Sequence, residues 1–173
     1  MSDATPQARR WQSGARYQPP PAILAEGRAL GALTHLVAKL RLARDFGLAA
    51  DALATWSLDR HGERGYHDEW IAAHGRGNLE RFVDDFLAGR SVLYDESSVT
   101  VQVGGFEVRS RIWYHDELPE AFFYFDVSPE EFTDYVIALG RENARRLGVE
   151  LTLVHEDGFE RAVIRALPDP PTA

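Results

Sequence analysis

Residues 99–110 read Val99-Thr100-Val101-Gln102-Val103-Gly104-Gly105-Phe106-Glu107-Val108-Arg109-Ser110. Apolar and polar residues alternate on both sides of a glycine pair, the period of two expected of strands that bury one face. A hairpin turning on Gly104 and Gly105 sets Val103 opposite Phe106 and Val101 opposite Val108. The same register sets Gln102 against Glu107 and Thr100 against Arg109. Apolar residues then share one face of both strands and polar residues the other, as a half-buried antiparallel sheet requires.

Toward the C-terminus, the run Phe122-Phe123-Tyr124-Phe125 predicts a buried strand. Ser128 is a helix N-cap, Pro129 suits the first helical position, and Glu131 completes a capping box. The helix that follows carries Phe132, Tyr135, Val136, Leu139 and Leu147 and stops at Gly148. Residues 149–155 and 160–166 form a last pair of strands around an acidic turn. Toward the N-terminus the period changes from two to that of a helix. Leu30, Leu33, Val37 and Leu40 recur at helical spacing, and Gly47 supplies a stop. Leu24, Leu36, Leu42 and Phe46 widen that stripe, so a helix over residues 22–46 is expected to be buried on more than one side. Further helices are expected over residues 49–60 and 78–88, the second ended by Gly89. The expected fold is α+β: a helical N-terminal half packed on a mainly antiparallel sheet with one long C-terminal helix. Residues 22–167 make its single domain. Residues 1–21, closing on Pro19-Pro20-Pro21, read as a tail held at most by Trp11 and Tyr17, and residues 168–173 as a frayed end.

Composition narrows the chemistry. With no cysteine among 173 residues, disulfides, thiol nucleophiles and thiolate metal sites are excluded. The basic residues are Arg apart from the single Lys39, a bacterial-like bias, and an isolated helical lysine argues against Schiff-base catalysis. A formal charge of −8 disfavours a nucleic-acid binder, and no apolar run reaches the roughly 20 residues that span a bilayer. The first 21 residues lack the apolar block of a signal peptide, so a cytoplasmic location is the expectation. Gly-rich phosphate loops, nucleophile elbows and dinucleotide fingerprints are missing from the sequence, and no organic cofactor is expected.

Three clusters could carry chemistry. His61, Glu63, His67 and His74 crowd residues 61–74; were residues 63–74 one helix, Glu63, His67 and His74 would share a face and could hold a divalent metal. Gly65 interrupts that span, and the alternative is a solvated connection between helices. Trp113-Tyr114-His115-Asp116-Glu117 leaves the second hairpin strand. There His115 is a candidate general base and Asp116 its orienting carboxylate, with Tyr114 beside them as a further catalytic candidate. Arg109 and Arg111 lie two apart on the polar strand face, echoed by Arg161 and Arg165. Covered by a helix they would grip a substrate carboxylate, with Trp113 alongside; covered by water they are solubilising charges.

The stretch Leu36-Val37-Ala38-Lys39-Leu40-Arg41-Leu42-Ala43-Arg44-Asp45-Phe46-Gly47 is followed by an Ala-rich helix, a Gly-punctuated link and Asn78-Leu79-Glu80-Arg81-Phe82. Together with the helix, Gly148-Val149-Glu150-Leu151-Thr152-Leu153, acidic turn and final strand, this resembles the L-2-amino-thiazoline-4-carboxylic acid hydrolase-like family. The resemblance implies hydrolytic opening of a small nitrogen heterocycle or a related C–N bond. It rests on helix and glycine patterns and carries over no catalytic residue. The expected function is a small-molecule hydrolase or related biosynthetic tailoring enzyme. The alternatives are a non-catalytic module that binds a small ligand or a partner, forming a homo-oligomer through residues 22–46, and a metal-dependent enzyme using residues 61–74.

Overall fold

A computed structural model describes residues 21–116 and 119–167, without the side chains of Ile23, Leu24, His115 and Asp116. Residues 1–20, with Trp11 and Tyr17, and residues 168–173 of the expected tails lie outside the described residues, and Pro21 begins the first helix. Four helices come first: α1 (Pro21–Asp45), α2 (Ala50–Gly62), α3 (Tyr66–His74) and α4 (Leu79–Arg90). The hairpin β1 (Tyr94–Gln102) and β2 (Gly105–Ile112) follows. Two short helices, α5 (Trp113–Asp116) and α6 (Glu120–Tyr124), lead to the long α7 (Pro129–Leu147) and the final strands β3 (Val149–Glu156) and β4 (Phe159–Ala166). The strands form one antiparallel sheet in the order β1-β2-β4-β3. The fold is the α+β arrangement expected.

Local signals set most boundaries. Ser128 caps α7 by accepting from the Glu131 N–H, and Gly148 ends it in the left-handed conformation that glycine adopts without strain. Asn78 caps α4 in the same manner, accepting from the Arg81 N–H. The hairpin, however, turns on Val103 and Gly104. Gly105 belongs to β2 and pairs with Gln102, which sets Val101 against Phe106 and Val99 against Val108. The two glycines have separate duties. Gly104 takes a positive φ of 75°, whereas a Cβ on Gly105 would collide with the Ile164 carbonyl of β4. Because the register moves by two residues, the segregation of faces survives.

Three other expectations are corrected. Residues 122–125 are not a strand: α6 buries Ala121 and Phe122 and leaves Phe123 and Tyr124 exposed, a helical alternation that a short apolar run cannot disclose. Helix α4 runs through Gly89 to Arg90, whose side chain is fixed in the interior. Helix α1 buries a single face, Leu33, Val37 and Leu40, while Leu42 and Phe46 stay exposed.

Two apolar clusters make the core. One joins α1, α2, α6 and the N-terminal half of α7 around Tyr114, Phe122 and Phe132; the other joins α3, α4, the sheet and the C-terminal end of α7 around Trp70, Phe82 and Leu153. Helix α7 contributes to both. Lys39 ties α1 to the first cluster, donating to Ser57 Oγ at 2.7 Å and Tyr135 Oη at 3.3 Å.

Gly140 lies in the interior of α7, where alanine would ordinarily favour the helix by about 1 kcal/mol. Here an added Cβ would stand 2.5 Å from Arg90 Nη2 and 3.1 Å from Leu153 Cδ1. Gly140→Ala is expected to lower the melting temperature followed by circular dichroism. A rise would show that Arg90 is free to yield.

Candidate functional site

The inward face of β4 carries Glu160, Ala162 and Ile164, all almost completely buried. An acid at such a position needs a counter-charge and further donors. Arg90, at the last turn of α4, supplies the charge: its Nη1 lies 2.7 Å from both Glu160 oxygens. Its Nη2 donates to the Val136 carbonyl of α7 at 2.7 Å, and its guanidinium lies over the Phe86 ring. Tyr94, the first residue of β1, donates its hydroxyl to Glu160 and accepts from Arg90. His155, directly across from Glu160 on β3, completes the set with Nε2 at 2.6 Å from Oε2.

The electrostatics follow from this placement. Burial by itself would raise the Glu160 pKa, but Arg90 and the hydrogen bonds from His155 and Tyr94 overcome it and hold the carboxyl below its ordinary value. Burial drives the Tyr94 hydroxyl strongly upward, Glu160 adding to the effect and Arg90 opposing it, so the phenol stays protonated and available as a donor.

Tyr94 also belongs to a groove of about 1260 Å³. Helix α1 gives one wall through Leu30 and Thr34. Tyr124 and Phe125 give a second, and Trp113 with Tyr94 a third. Asp95 and Arg111 stand together in this lining, joined by an ion pair of 2.7 Å. Trp113 is held by its indole N–H, which donates to the Val92 carbonyl at 2.8 Å. Aromatic walls beside a few fixed polar groups are the usual character of a small-molecule site.

The residues singled out in the sequence meet different fates. Arg111 and Trp113 line the groove. Arg109 does not: it lies on the exposed sheet face with its guanidinium 4.1 Å from the Phe159 ring centroid. Among the described residues, no helix covers that face at Arg109, Arg161 and Arg165, which are all exposed. Tyr114 is a core residue packed on Phe122 and Phe132, and burial pushes its hydroxyl up to about 12. The backbone of His115 and Asp116 continues α5 from Trp113; their side chains lie outside the described residues.

Residues 63–74 are not one helix. Gly65, at φ 82°, separates α2 from α3. Glu63 pairs with Arg60 at 2.6 Å, and His67 is buried with Nε2 at 3.2 Å from Asn143 Oδ1. His74 packs its ring edge-on against Trp70, and His61 meets Tyr66. Among the described residues, no three His, Asp or Glu side chains converge on a common point as a metal would need.

Sequence reasoning missed Arg90, Tyr94, Asp95, His155 and Glu160. One of them had a legible signal. The alternation in β4 places Glu160 in phase with Ala162 and Ile164, on the apolar face.

Comparison with curated proteins finds a relative in Bacillus subtilis (strain 168), the uncharacterized protein YxnB. It is 35% identical over 141 residues, which cover 82% of this chain and 88% of YxnB. The chain belongs to the YxnB family. No family model and no solved structure matches it. Similarity across this much of both chains gives YxnB the same fold, while chemistry has to be argued from the site's own residues.

Two measurements probe this geometry. Removing one member of a buried ion pair strands the other, so Glu160→Ala is expected to cost about 3–5 kcal/mol in denaturant unfolding. A loss below about 1 kcal/mol would mean that Arg90 reaches water instead. For His67, burial holds the folded-state pKa below 6.5, although the Asn143 hydrogen bond opposes this. The unfolded chain therefore takes up the proton first. The contribution is complete above about pH 6.5 and is lost as pH falls through the lower folded value. His67→Gln should flatten the decline of melting temperature between about pH 7 and pH 5; an unchanged slope would assign that decline elsewhere.

Proposed function

We propose that the chain is a small-molecule-binding protein whose ligand occupies the groove between α1, α6 and the adjoining ends of β1 and β2. The observation that carries this reading is the wall shared by Trp113, Tyr94 and the Asp95–Arg111 pair. It offers aromatic surface, and next to it an arginine and a carboxylate whose positions are already fixed. Tyr94 is tied from behind to Arg90 and Glu160, so its ring resists displacement when a ligand enters. A site whose walls are fixed in advance avoids much of the ordering cost of binding. A ligand with a flat or apolar body and one carboxylate or amide group fits this surface. The polar group would exchange with Asp95 for the Arg111 guanidinium, or accept from it alongside Asp95.

A catalytic form of the same reading is supported by the position of α5. Trp113 lines the groove, and the one-turn helix it begins carries His115 and Asp116 two and three residues later. In that form the protein is a hydrolase for a C–N bond or small nitrogen heterocycle. His115 takes a proton from water while Asp116 orients the imidazole. The water oxygen bonds to the ring carbon, the bond from that carbon to its ring heteroatom breaks, and the proton passes to the leaving atom, which is nitrogen for a C–N bond and sulfur for a thiazoline. A divalent metal remains part of this proposal as an alternative means of activating the water.

L-2-amino-thiazoline-4-carboxylate tests the catalytic form, with thiol release followed by a chromogenic disulfide in the presence and absence of chelator. The chain has no cysteine of its own to contribute background. Catalytic release that His115→Ala cuts by about 10²-fold or more, with an unchanged melting curve, is the expected result. No release by the wild type would remove hydrolysis of this substrate. Binding is read separately from fluorescence titration with the apolar anionic dye 1-anilinonaphthalene-8-sulfonate. Trp113→Ala should weaken the dye about tenfold, the loss of ~1.4 kcal/mol; undiminished binding would place the dye, and the proposed site, elsewhere.

A further inference from the structure

Strand β1 ends the sheet, and among the described residues nothing pairs with its outer edge. Natural edge strands are usually blunted by charge, proline or a bulge. The opposite edge shows such protection: β3 exposes Glu150 and Glu156, and Arg141 of α7 donates to the Leu153 carbonyl at 2.9 Å. Residues 97–102 of β1, Ser97-Ser98-Val99-Thr100-Val101-Gln102, contain no charge and no proline. The one irregularity in the strand falls between Tyr94 and Glu96, outside this stretch. Val99 and Val101 belong to the helix-facing side, opposite Val108 and Phe106, yet they are 44% and 77% exposed. The helix layer stops short of them.

Hairpin geometry specifies which backbone groups are free to pair. A two-residue loop closes on a hydrogen-bonded pair, here Gln102 and Gly105. Ladder bonds to β2 then alternate, and Ser97, Val99 and Val101 turn their N–H and C=O groups outward. The sequence around Thr100 is palindromic in character, with valine on each side and neutral polar residues beyond.

We infer that β1 is a homodimer edge, pairing antiparallel with β1 of a second copy about a twofold axis at Thr100. In this register Val99 faces Val101 of the second copy and Ser98 faces Gln102. Every pair is neutral, each valine of the strand meets a valine, and the two sheets join into one of eight strands. A foreign strand would satisfy the same backbone groups but would not require the palindrome, and this favours a second copy as the occupant. Asp95 and Glu96 fall beyond the paired stretch, so no like charges are brought face to face.

The symmetric position gives a direct test. Thr100 would form a pair without ladder hydrogen bonds, whose Cα atoms stand about 4.5 Å apart, within disulfide range. Because the chain has no cysteine, Thr100→Cys introduces the only thiol. Light scattering of the wild type should give twice the 19.4 kDa chain mass. Val101→Lys should abolish the dimer and leave the circular dichroism spectrum unchanged. Thr100→Cys should cross-link under mild oxidation, while Glu96→Cys should not. A wild type that remains monomeric at high concentration overturns the inference. So does a dimer that persists in Val101→Lys and yields no Thr100→Cys cross-link, since that dimer would use another face.

Discussion

The buried pair of Arg90 and Glu160 is the constraint around which the other elements are arranged. Its groups come from α4 and β4, and its further hydrogen bonds reach β1 through Tyr94, β3 through His155 and α7 through the Val136 carbonyl. Apolar packing could tolerate small shifts between these elements. A desolvated carboxylate cannot, because each oxygen displaced from its donors keeps its desolvation penalty and loses what offset it. The pair therefore fixes the relative position of helix layer and sheet more sharply than the two apolar clusters alone would. It touches both, through Val136 on one side and Phe86 on the other.

This arrangement bears on the groove. Tyr94 is a lining residue whose hydroxyl is committed to the interior, so the ligand wall and the ionic core share one side chain. The rest of the lining is assembled from elements far apart in the chain: α1, the start of β1, the end of β2 and α6. Arg111 and Asp95 meet because a register irregularity between Tyr94 and Glu96 locally shifts β1 against β2. The groove is thus a product of sheet register and helix placement, with no short sequence motif behind it.

Much of the secondary structure was legible because its causes are local. The Ser128 cap, Gly148 stop and period-two alternation of the hairpin act over a few residues and do not need the rest of the chain. Errors arose where one pattern served two structures. Phe122 to Phe125 is apolar enough for a strand, and only the burial of Phe122 with the exposure of Phe123 and Tyr124 distinguishes a helix. The glycine pair at 104–105 announced a turn correctly. It could not show that Gly105 was needed for the approach of the Ile164 carbonyl rather than for the turn itself. Of the candidate site, Trp113 and Arg111 were found, while the histidine-rich stretch 61–74 proved to be two helices held by separate contacts.

The sequence by itself determined the α+β class, the cap and stop of the long helix α7 and the segregation of faces in the β1–β2 hairpin. These follow from capping chemistry and hydrophobic period, which are properties of neighbouring residues. Only the tertiary structure decided that Glu160 is neutralised by Arg90, that Tyr94 bridges core and groove, and that, among the described residues, nothing pairs with the outer edge of β1 while β3 is guarded. Each of these joins groups distant in the chain. Their energies depend on separation in space and on the exclusion of water, and neither quantity is encoded in local order.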